Sequence, residues 1–147
     1  MSCHTNPVVK PTPAVAAAVV FQGRVLMVQR RNPPNAGLLA LPGGRVEPGE
    51  PLLSAAQREL HEETGIIADA ERVMTAIDQF QHDDRGRLLS HFVIVVVVCR
   101  WVEGVAVAGD DASQVHWLDA AQISSEPSLC ASARRIAANL LADPSRR

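Results

Sequence analysis

The sequence predicts a single α+β domain, and three observations carry that prediction. Two apolar runs, AVAAAVVF at 14–21 and FVIVVVVC at 92–99, have the length and composition of buried strands. The segment at 51–65 instead repeats its apolar residues every three or four positions, as an amphipathic helix does. The chain has 147 residues, enough to bury one core, so we expect residues 1–147 to form one domain.

Proline and glycine mark the element boundaries in the N-terminal half. Three prolines among the first thirteen residues indicate a flexible arm over residues 1–12. The dipeptide Gln22-Gly23 between two apolar runs is a hairpin turn signal. The predicted elements are strands at 14–21 and 24–30, a loop at 32–37 and a short strand in LLALPGG at 38–44, which ends in a Pro-Gly-Gly turn.

The first helix has clear end signals and one apolar stripe. Pro51 suits its first turn, and Gly65 suits the position just past its last. Between them, Leu53, Ala56 and Leu60 recur at helical spacing. This predicts a helix of about fourteen residues with one buried face.

The remaining elements follow from alternation and turn chemistry. The turn DDRGR joins two strands, and the valine run in the second indicates burial on both faces over part of its length. A final segment after Pro127 has helical periodicity. The predicted elements are strands at 71–80 and 87–101, a loop or loose hairpin at 103–113, a strand at 114–119 and a helix at 128–142.

Composition narrows the classes of partner. The formal net charge is −2, which argues against binding of nucleic acid through a basic surface. The apolar runs are too short to cross a bilayer as helices, so no membrane association is expected. Cys3, Cys99 and Cys130 are odd in number and far apart, which indicates reduced thiols in a cytoplasmic protein.

The predicted first helix carries a cluster of acidic residues near its C-terminal end. Glu59, Glu62 and Glu63 stand at positions i, i+3 and i+4, within about 100° of arc. Three carboxylates this close repel one another unless a cation lies among them, and Arg58 neutralises only part of the charge. Hard oxygen ligands favour Mg²⁺ or Mn²⁺, and a glycine turn such as 42–44 lets backbone approach a bound diphosphate closely.

Residues 44–66 match the Nudix box, G-x5-E-x7-R-E-U-x-E-E-x-G-U with U aliphatic, and the chain therefore resembles the Nudix hydrolase family. The fold that the resemblance implies is an α/β/α sandwich with a mixed central sheet. Every fixed position is filled, by Gly44, Glu50, Arg58, Glu59, Leu60, Glu62, Glu63, Gly65 and Ile66.

The resemblance implies roles for individual residues. Glu59, Glu62 and Glu63 would ligate the catalytic metal, joined by the backbone carbonyl of Gly43. Glu50 and Arg58 would form an ion pair that holds the loop against the helix. Family members cleave a nucleoside diphosphate linked to another group by attack of water on phosphorus, and either Glu62 or Glu59 would orient or deprotonate that water. A further acid in a late loop would come from Glu103, Asp110 or Asp111.

Substrate contacts are less specifically indicated. Arg30, Arg31 and Asn35 precede the box on a strand and loop expected to face the substrate, where an arginine fork suits a phosphate. Gly44 would let the substrate approach the backbone. Phe80 and His82, and with them Phe92 and His91, are candidates to lie near the pocket.

Several alternatives stay open. The stretches RRNPPNAGLLALPGG and HFVIVVVVCRWVEG look like those of small ADP-ribose pyrophosphatase-like members, which favours a substrate of that kind. The first alternative is a nucleoside triphosphate pyrophosphohydrolase that gives a monophosphate and pyrophosphate. An alternative of another class is a non-catalytic module that senses a nucleotide. Family members are frequently homodimers, so a homodimer is also expected, with a small-molecule nucleotide as the partner.

Overall fold

Helices cover both faces of a seven-stranded mixed sheet in this computed structural model, which describes residues 8–33, 35–109 and 112–143. The elements in chain order are β1 Thr12–Phe21, β2 Arg24–Arg30, β3 Leu39–Ala40, β4 Gly43–Arg45, α1 Leu52–Thr64, β5 Ile67–His82, β6 Leu88–Glu103, β7 Ala112–Leu118, α2 Ala120–Ser125 and α3 Ala131–Ala142.

The sheet divides along one edge of β1. The N-terminal half of β1 pairs with β4, its C-terminal end pairs with β2, and its other edge pairs with β6. The β1–β6 ladder is parallel, and the other ladders are antiparallel. Strands β3 and β7 extend the part built on β2, while β5 extends the part built on β6. The place where β2 and β4 diverge becomes one border of the cleft described below.

Alternation along β1 separates two cores, one on each face of the sheet. Odd-numbered β1 residues pack with one buried set, Val15, Ala17, Val19, Leu26, Ala55, Ala56, Leu60, Ile66, Ala68, Val97 and Cys99, which includes α1. Even-numbered β1 residues, Ala16 and Ala18 among them, pack with a second buried set on the other face of the sheet. This set includes Val96 and Val98 of β6, Ile123 of α2, and Ala133, Ile136, Ala137 and Leu140 of α3. Both faces are therefore buried over most of β1 and over residues 96–99 of β6, as the apolar runs predict for part of the second strand, and the α+β sandwich is confirmed.

Turn and cap signals lie where the sequence places them. Gln22 and Gly23 both adopt positive φ, which suits a tight hairpin between β1 and β2. Gly65 ends α1 in the left-handed conformation that glycine adopts without strain. Pro51 is the N-cap residue and not part of the first turn, because α1 begins at Leu52.

The structure corrects several boundaries. β5 begins at Ile67, not at 71, because bulges between Ala70 and Arg72 and between Val73 and Thr75 break the alternation that would have marked it. The segment 38–44 forms two strands, β3 and β4, instead of one. β6 runs on to Glu103, β7 begins at 112, and α2 was not predicted.

The arm predicted over 1–12 falls mostly on residues 1–7, outside the described part of the chain. Residues 8–11 have no regular structure, and β1 already begins at Thr12. Cys99 and Cys130 are buried free thiols, while Cys3 lies outside the described residues. Over the described ranges, each helix is too short or too polar to cross a membrane.

Candidate active site

The glycine turn brings backbone up to two carboxylates of α1. The Gly43 N–H donates to Oε2 of Glu63 at 3.0 Å. The Cα of Gly44 lies against the Glu59 carboxylate, so that a Cβ at this position would overlap its oxygens. A Cβ on Gly43 would instead overlap the backbone carbonyl oxygen of Val15. Gly43 therefore allows β4 to lie close to the backbone of β1, and Gly44 leaves room for the Glu59 carboxylate.

Arg58 is the centre of the hydrogen-bond network behind this turn. Its Nε and Nη2 donate to the two carboxylate oxygens of Glu50, at 2.7 and 2.9 Å. Its Nη1 donates to Glu59 at 2.9 Å and to Glu62 at 3.3 Å. Its Nη2 also donates to the backbone oxygen of Arg45 at 3.0 Å. The expected Glu50–Arg58 ion pair is thus present and ties the loop to the helix.

The same contacts set the titration of these groups. The Arg58 hydrogen bonds lower the pKa of Glu50 to about 2, so this carboxylate is ionised at neutral pH. Hydrogen bonding to Glu50 raises the pKa of Arg58 in turn. Burial raises the pKa of Glu59, partly offset by the Arg58 hydrogen bond. The side chain of Glu59 is 15% exposed and that of Glu62 is 44% exposed, so the two carboxylates differ in their access to water.

A cleft of about 550 Å³ opens in front of the turn. One wall carries Glu59 and Glu63 with both glycines of the turn. Other parts of the lining come from the β2–β3 loop, from β5 and β6, and from the start of α3. The predicted residues Arg30, Arg31 and Asn35 all line this cleft, on the loop side.

Phe80 and His82 do not line the cleft. Cross-strand pairing sets Phe80 opposite His91 and Gln79 opposite Phe92, so Phe80 and Phe92 project from opposite faces of the β5–β6 ribbon. Phe80 is 52% exposed and its ring lies 4.5 Å from that of His91, centroid to centroid. The lining carries Phe92 and Gln79 in their place.

Sequence reasoning missed Arg45 and Gln79, whereas Phe92, which it named as a candidate to lie near the pocket, does line the cleft. A signal for Gln79 and Phe92 is present in the turn at 83–87. Once that turn is fixed, the register makes 79 face 92 and 80 face 91. Alternation along each strand then assigns Phe80 and Phe92 to opposite faces of the ribbon.

The late-loop acids are only partly described. Glu103 ends β6 opposite Ile67 and does not line the cleft. Asp110 and Asp111 lie outside the described residues. Gly109, which precedes them, donates its N–H to the backbone oxygen of Glu63 at 2.8 Å.

The donor set suits a hard divalent cation, although its ligands are not assembled around one. Over the described residues, no group of three or more His, Cys, Asp or Glu side chains is close enough to hold a metal ion as it stands. Glu59 and Glu62 accept from Arg58, and Glu63 accepts from Gly43. Carboxylate oxygens beside a glycine turn are nevertheless the ligands that Mg²⁺ and Mn²⁺ prefer.

Comparison with protein families matches residues 10–140 to the NUDIX domain. The match extends well beyond residues 44–66 and covers most of the chain. The protein belongs to the NUDIX domain family, and the resemblance seen in the sequence is confirmed.

Two relatives of this chain are named after the substrates on which they act. The ADP-ribose pyrophosphatase of Methanocaldococcus jannaschii is 34% identical over 109 residues, which cover 74% of this chain and 62% of that enzyme. The mouse 8-oxo-dGDP phosphatase is 31% identical over 122 residues, covering 76% of this chain and 35% of that protein. The aligned region thus spans about three fifths of the first relative and a third of the second.

Solved structures confirm the fold. The MutT NUDIX hydrolase of Burkholderia pseudomallei is 28% identical, with a TM-score of 0.73 over 88% of this chain and 97% of that one. The bifunctional NMN adenylyltransferase/ADP ribose pyrophosphatase of Francisella tularensis, solved with AMP and a Mn ion, is 29% identical, with a TM-score of 0.70 over 93% of this chain and 43% of that one.

Proposed function

We propose that this protein is a metal-dependent pyrophosphohydrolase that cleaves a nucleoside diphosphate linked to another moiety, with an ADP-ribose-like substrate favoured. The observation that carries the proposal is the spatial arrangement of the Nudix box residues in the fold. Glu59 and Glu63 line the cleft beside the glycine turn. Next to them in the same helix, Arg58 forms a bidentate ion pair with Glu50. Every fixed position of the motif is present, and Arg58 contacts Glu50, Glu59 and Glu62.

The chain's own residues would hold the metal and prepare the attack. Glu59, Glu62 and Glu63, with the carbonyl of Gly43, are the proposed ligands. A bound Mg²⁺ or Mn²⁺ ion would neutralise charge on the diphosphate and lower the pKa of a coordinated water. Arg58 restrains Glu59 and Glu62, and the Gly43 N–H restrains Glu63, so each proposed ligand is held by a neighbour of the box. Glu62, the more exposed of the two candidate bases, can accept the proton of the attacking water; Glu59 is the alternative.

The opposite side of the cleft would hold the rest of the substrate. Arg30 and Arg31 can place guanidinium groups on phosphate oxygens, since an arginine fork matches that geometry. Asn35 stands beside them in the lining. An ADP-ribose-like compound is favoured because the archaeal relative and the Francisella enzyme both bear that activity in their names.

The first alternative substrate is a nucleoside triphosphate, cleaved to a monophosphate and pyrophosphate. The mouse relative, named for an oxidised guanine nucleotide, supports keeping such nucleotides in the test. The proposal also includes a cytoplasmic location and a homodimeric state. Measuring the molecular mass of the protein in solution tests the homodimeric state.

The experiment is a metal-dependent hydrolysis screen with product identification. Substrates are ADP-ribose, other nucleotide sugars, diadenosine polyphosphates and nucleoside triphosphates, each with Mg²⁺, with Mn²⁺ and with chelator. We expect ADP-ribose to give AMP and ribose 5-phosphate, and Glu62→Gln to lower kcat/KM at least about a hundredfold. Glu71→Gln, which removes an exposed acid on β5, is the matched control and should retain activity.

The products also decide between the alternatives. Release of pyrophosphate from triphosphates, with ADP-ribose left intact, would replace the favoured substrate by the first alternative. A folded protein that binds nucleotide but hydrolyses nothing with either metal would sink the enzyme proposal and leave a nucleotide sensor.

A further inference from the structure

The end of the cleft away from the glutamates carries an aromatic ring with a guanidinium above it. The Cζ atom of Arg45 lies 5.6 Å from the centroid of the Phe92 ring, within the range of a cation–π contact. Gln79 is the direct cross-strand partner of Phe92. All three line the cleft, and Phe92 and Gln79 are only half-buried.

Strand register fixes how these groups share a face. Ala14 of β1 pairs with Arg45 on one side and with Ile94 on the other, and Ile94 pairs with Ile77. Because residues two apart in a strand point to the same face, Phe92 and Gln79 continue the face of Ile94 and Ile77. These four side chains form the floor of the cleft at this end. Along the strands, the floor changes from the aliphatic pair Ile94 and Ile77 to the Phe92 ring and the Gln79 amide.

The separation of this end from the glutamates follows from the same register. Gly44 is in register with Val15 of β1, while Phe92 is in register with Thr12. Three residues along β1 and two strand spacings across the sheet correspond to roughly 14 Å between the backbone positions of Gly44 and Phe92. An extended nucleoside diphosphate can bridge such a span, with its phosphates at the glycine turn.

We propose that Phe92, Arg45 and Gln79 form a nucleobase platform, an inference that rests on the proposed function of the same cleft. The base would stack on the Phe92 ring, with the planar guanidinium of Arg45 against its edge. The side-chain amide of Gln79 can both donate to and accept from the base edge. The backbone oxygen of Arg45 accepts from Arg58, so the platform is tied directly to the ion pair of the box.

A base fits this end better than a second phosphate does. The aliphatic floor and the ring offer flat apolar area, which a planar heterocycle covers and a phosphate does not. Stacking on an aromatic ring is tolerant of base identity, whereas Gln79 supplies the polar contact that can discriminate. Arg45 acting as a phosphate ligand is the competing outcome, and it predicts a different response to a ligand without a base.

The test measures binding without turnover, using AMP, GMP, CMP and UMP against ribose 5-phosphate by titration calorimetry on the full chain. Wild type should bind at least one nucleotide tighter than ribose 5-phosphate. Phe92→Leu keeps apolar volume but removes the ring, and should weaken that nucleotide about 5- to 150-fold while leaving ribose 5-phosphate unchanged. Arg45→Gln should act in the same direction. Thermal melting of each variant checks that it is folded.

Matched controls lie on the same strand, outside the cleft. Leu89→Ala removes an exposed apolar side chain of β6, and Arg100→Gln removes an exposed β6 charge paired with Asp69. Neither should alter nucleotide affinity. Equal affinity of wild type for all four nucleotides and ribose 5-phosphate would overturn the platform, as would unchanged nucleotide binding in Phe92→Leu. Loss of ribose 5-phosphate binding in Arg45→Gln would reassign Arg45 to phosphate and overturn its place in the platform.

The two proposals fail separately. If hydrolysis is absent but nucleotide binding still depends on Phe92, the platform stands and the hydrolase proposal falls. If hydrolysis is present but Phe92→Leu leaves nucleotide affinity unchanged, the reverse holds.

Discussion

Gly43 and Gly44 are adjacent, yet each excludes a side chain for a different reason. At position 43 a methyl group would meet the backbone of β1, which cannot move without breaking the sheet. At position 44 it would meet the end of the Glu59 side chain, which can rotate away. One glycine is therefore required for the fold and the other for the position of a proposed metal ligand.

Alanine substitution at these two positions should separate stability from activity. Gly43→Ala should lower the free energy of unfolding by about 1–3 kcal/mol, because overpacking against backbone forces the strands apart. Gly44→Ala should leave the unfolding midpoint nearly unchanged but lower kcat/KM by about a hundredfold, because Glu59 is displaced. Urea unfolding and the hydrolysis assay on the same preparations check both. Similar losses of stability in the two variants would contradict this division of roles within the turn.

Single residues show what the sequence could foretell. The positions of Glu59 and Glu63 on one side of α1 could be predicted, because residues four apart on a helix lie on the same face. Arg45 escaped notice because an exposed arginine after a glycine pair has no local signature, and its contact with Phe92 arises only from strand pairing across β1 and β6.

At the scale of elements, the loop after β6 completes helix α1. The N–H groups of Val107 and Gly109 donate to the backbone oxygens of Thr64 and Glu63, each at 2.8 Å. Carbonyls in the last turn of a helix have no partner within the helix, so these bonds satisfy two of them. A Cβ on Gly109 would lie 2.6 Å from the backbone oxygen of Glu62. The loop thus closes directly over the turn that carries the two glutamates.

Gly109→Ala should push this loop off the helix end. We expect about 1–3 kcal/mol lower stability and faster hydrogen exchange at the amides of 107 and 109. Val107→Ala, which shortens a 65% exposed side chain but keeps the amide, is the control and should exchange like wild type. Unchanged protection of both amides in Gly109→Ala would show that the cap does not depend on this close approach.

Elements differed in how well the sequence predicted them. α1 was predictable because Gly65 and its apolar stripe agree. The start of β5 was not, because its bulges interrupt the period of two. α2 has only six residues, but it does carry an N-terminal signal: the Asp119 side chain accepts from the backbone of Gln122, whose side chain accepts in return.

For the whole molecule, stability should depend on the Glu50–Arg58 pair in acid. The folded-state pKa of Glu50, about 2, lies below its ordinary value of 4.5. Its ionised form therefore stabilises the fold above about pH 4.5, and that stability is lost as the pH falls toward about 2. Glu59 has the opposite sign: burial raises its pKa, so its contribution is present in acid and is lost as the pH rises through the folded-state value.

Glu50→Gln should be less stable than wild type at neutral pH, and the difference should shrink in acid. Urea midpoints measured across the acid range for both proteins isolate this group, because every other carboxylate is common to the two. The variant should show the shallower loss between about pH 4.5 and pH 2. Parallel curves would mean that the ion pair contributes nothing to the acid dependence.

The parallel ladder between β1 and β6 also constrains how the chain reaches its folded state. Thr12 pairs with Phe92 and Val20 with Arg100, so every rung joins positions eighty residues apart. Contacts so distant in the chain must overcome a large loop-closure entropy before they contribute, which slows folding. During synthesis, α1 and its three glutamates leave the ribosome well before β6 does. The buried face of α1 therefore lacks two of its packing partners, Val97 and Cys99, until the strand that completes the central sheet has been made.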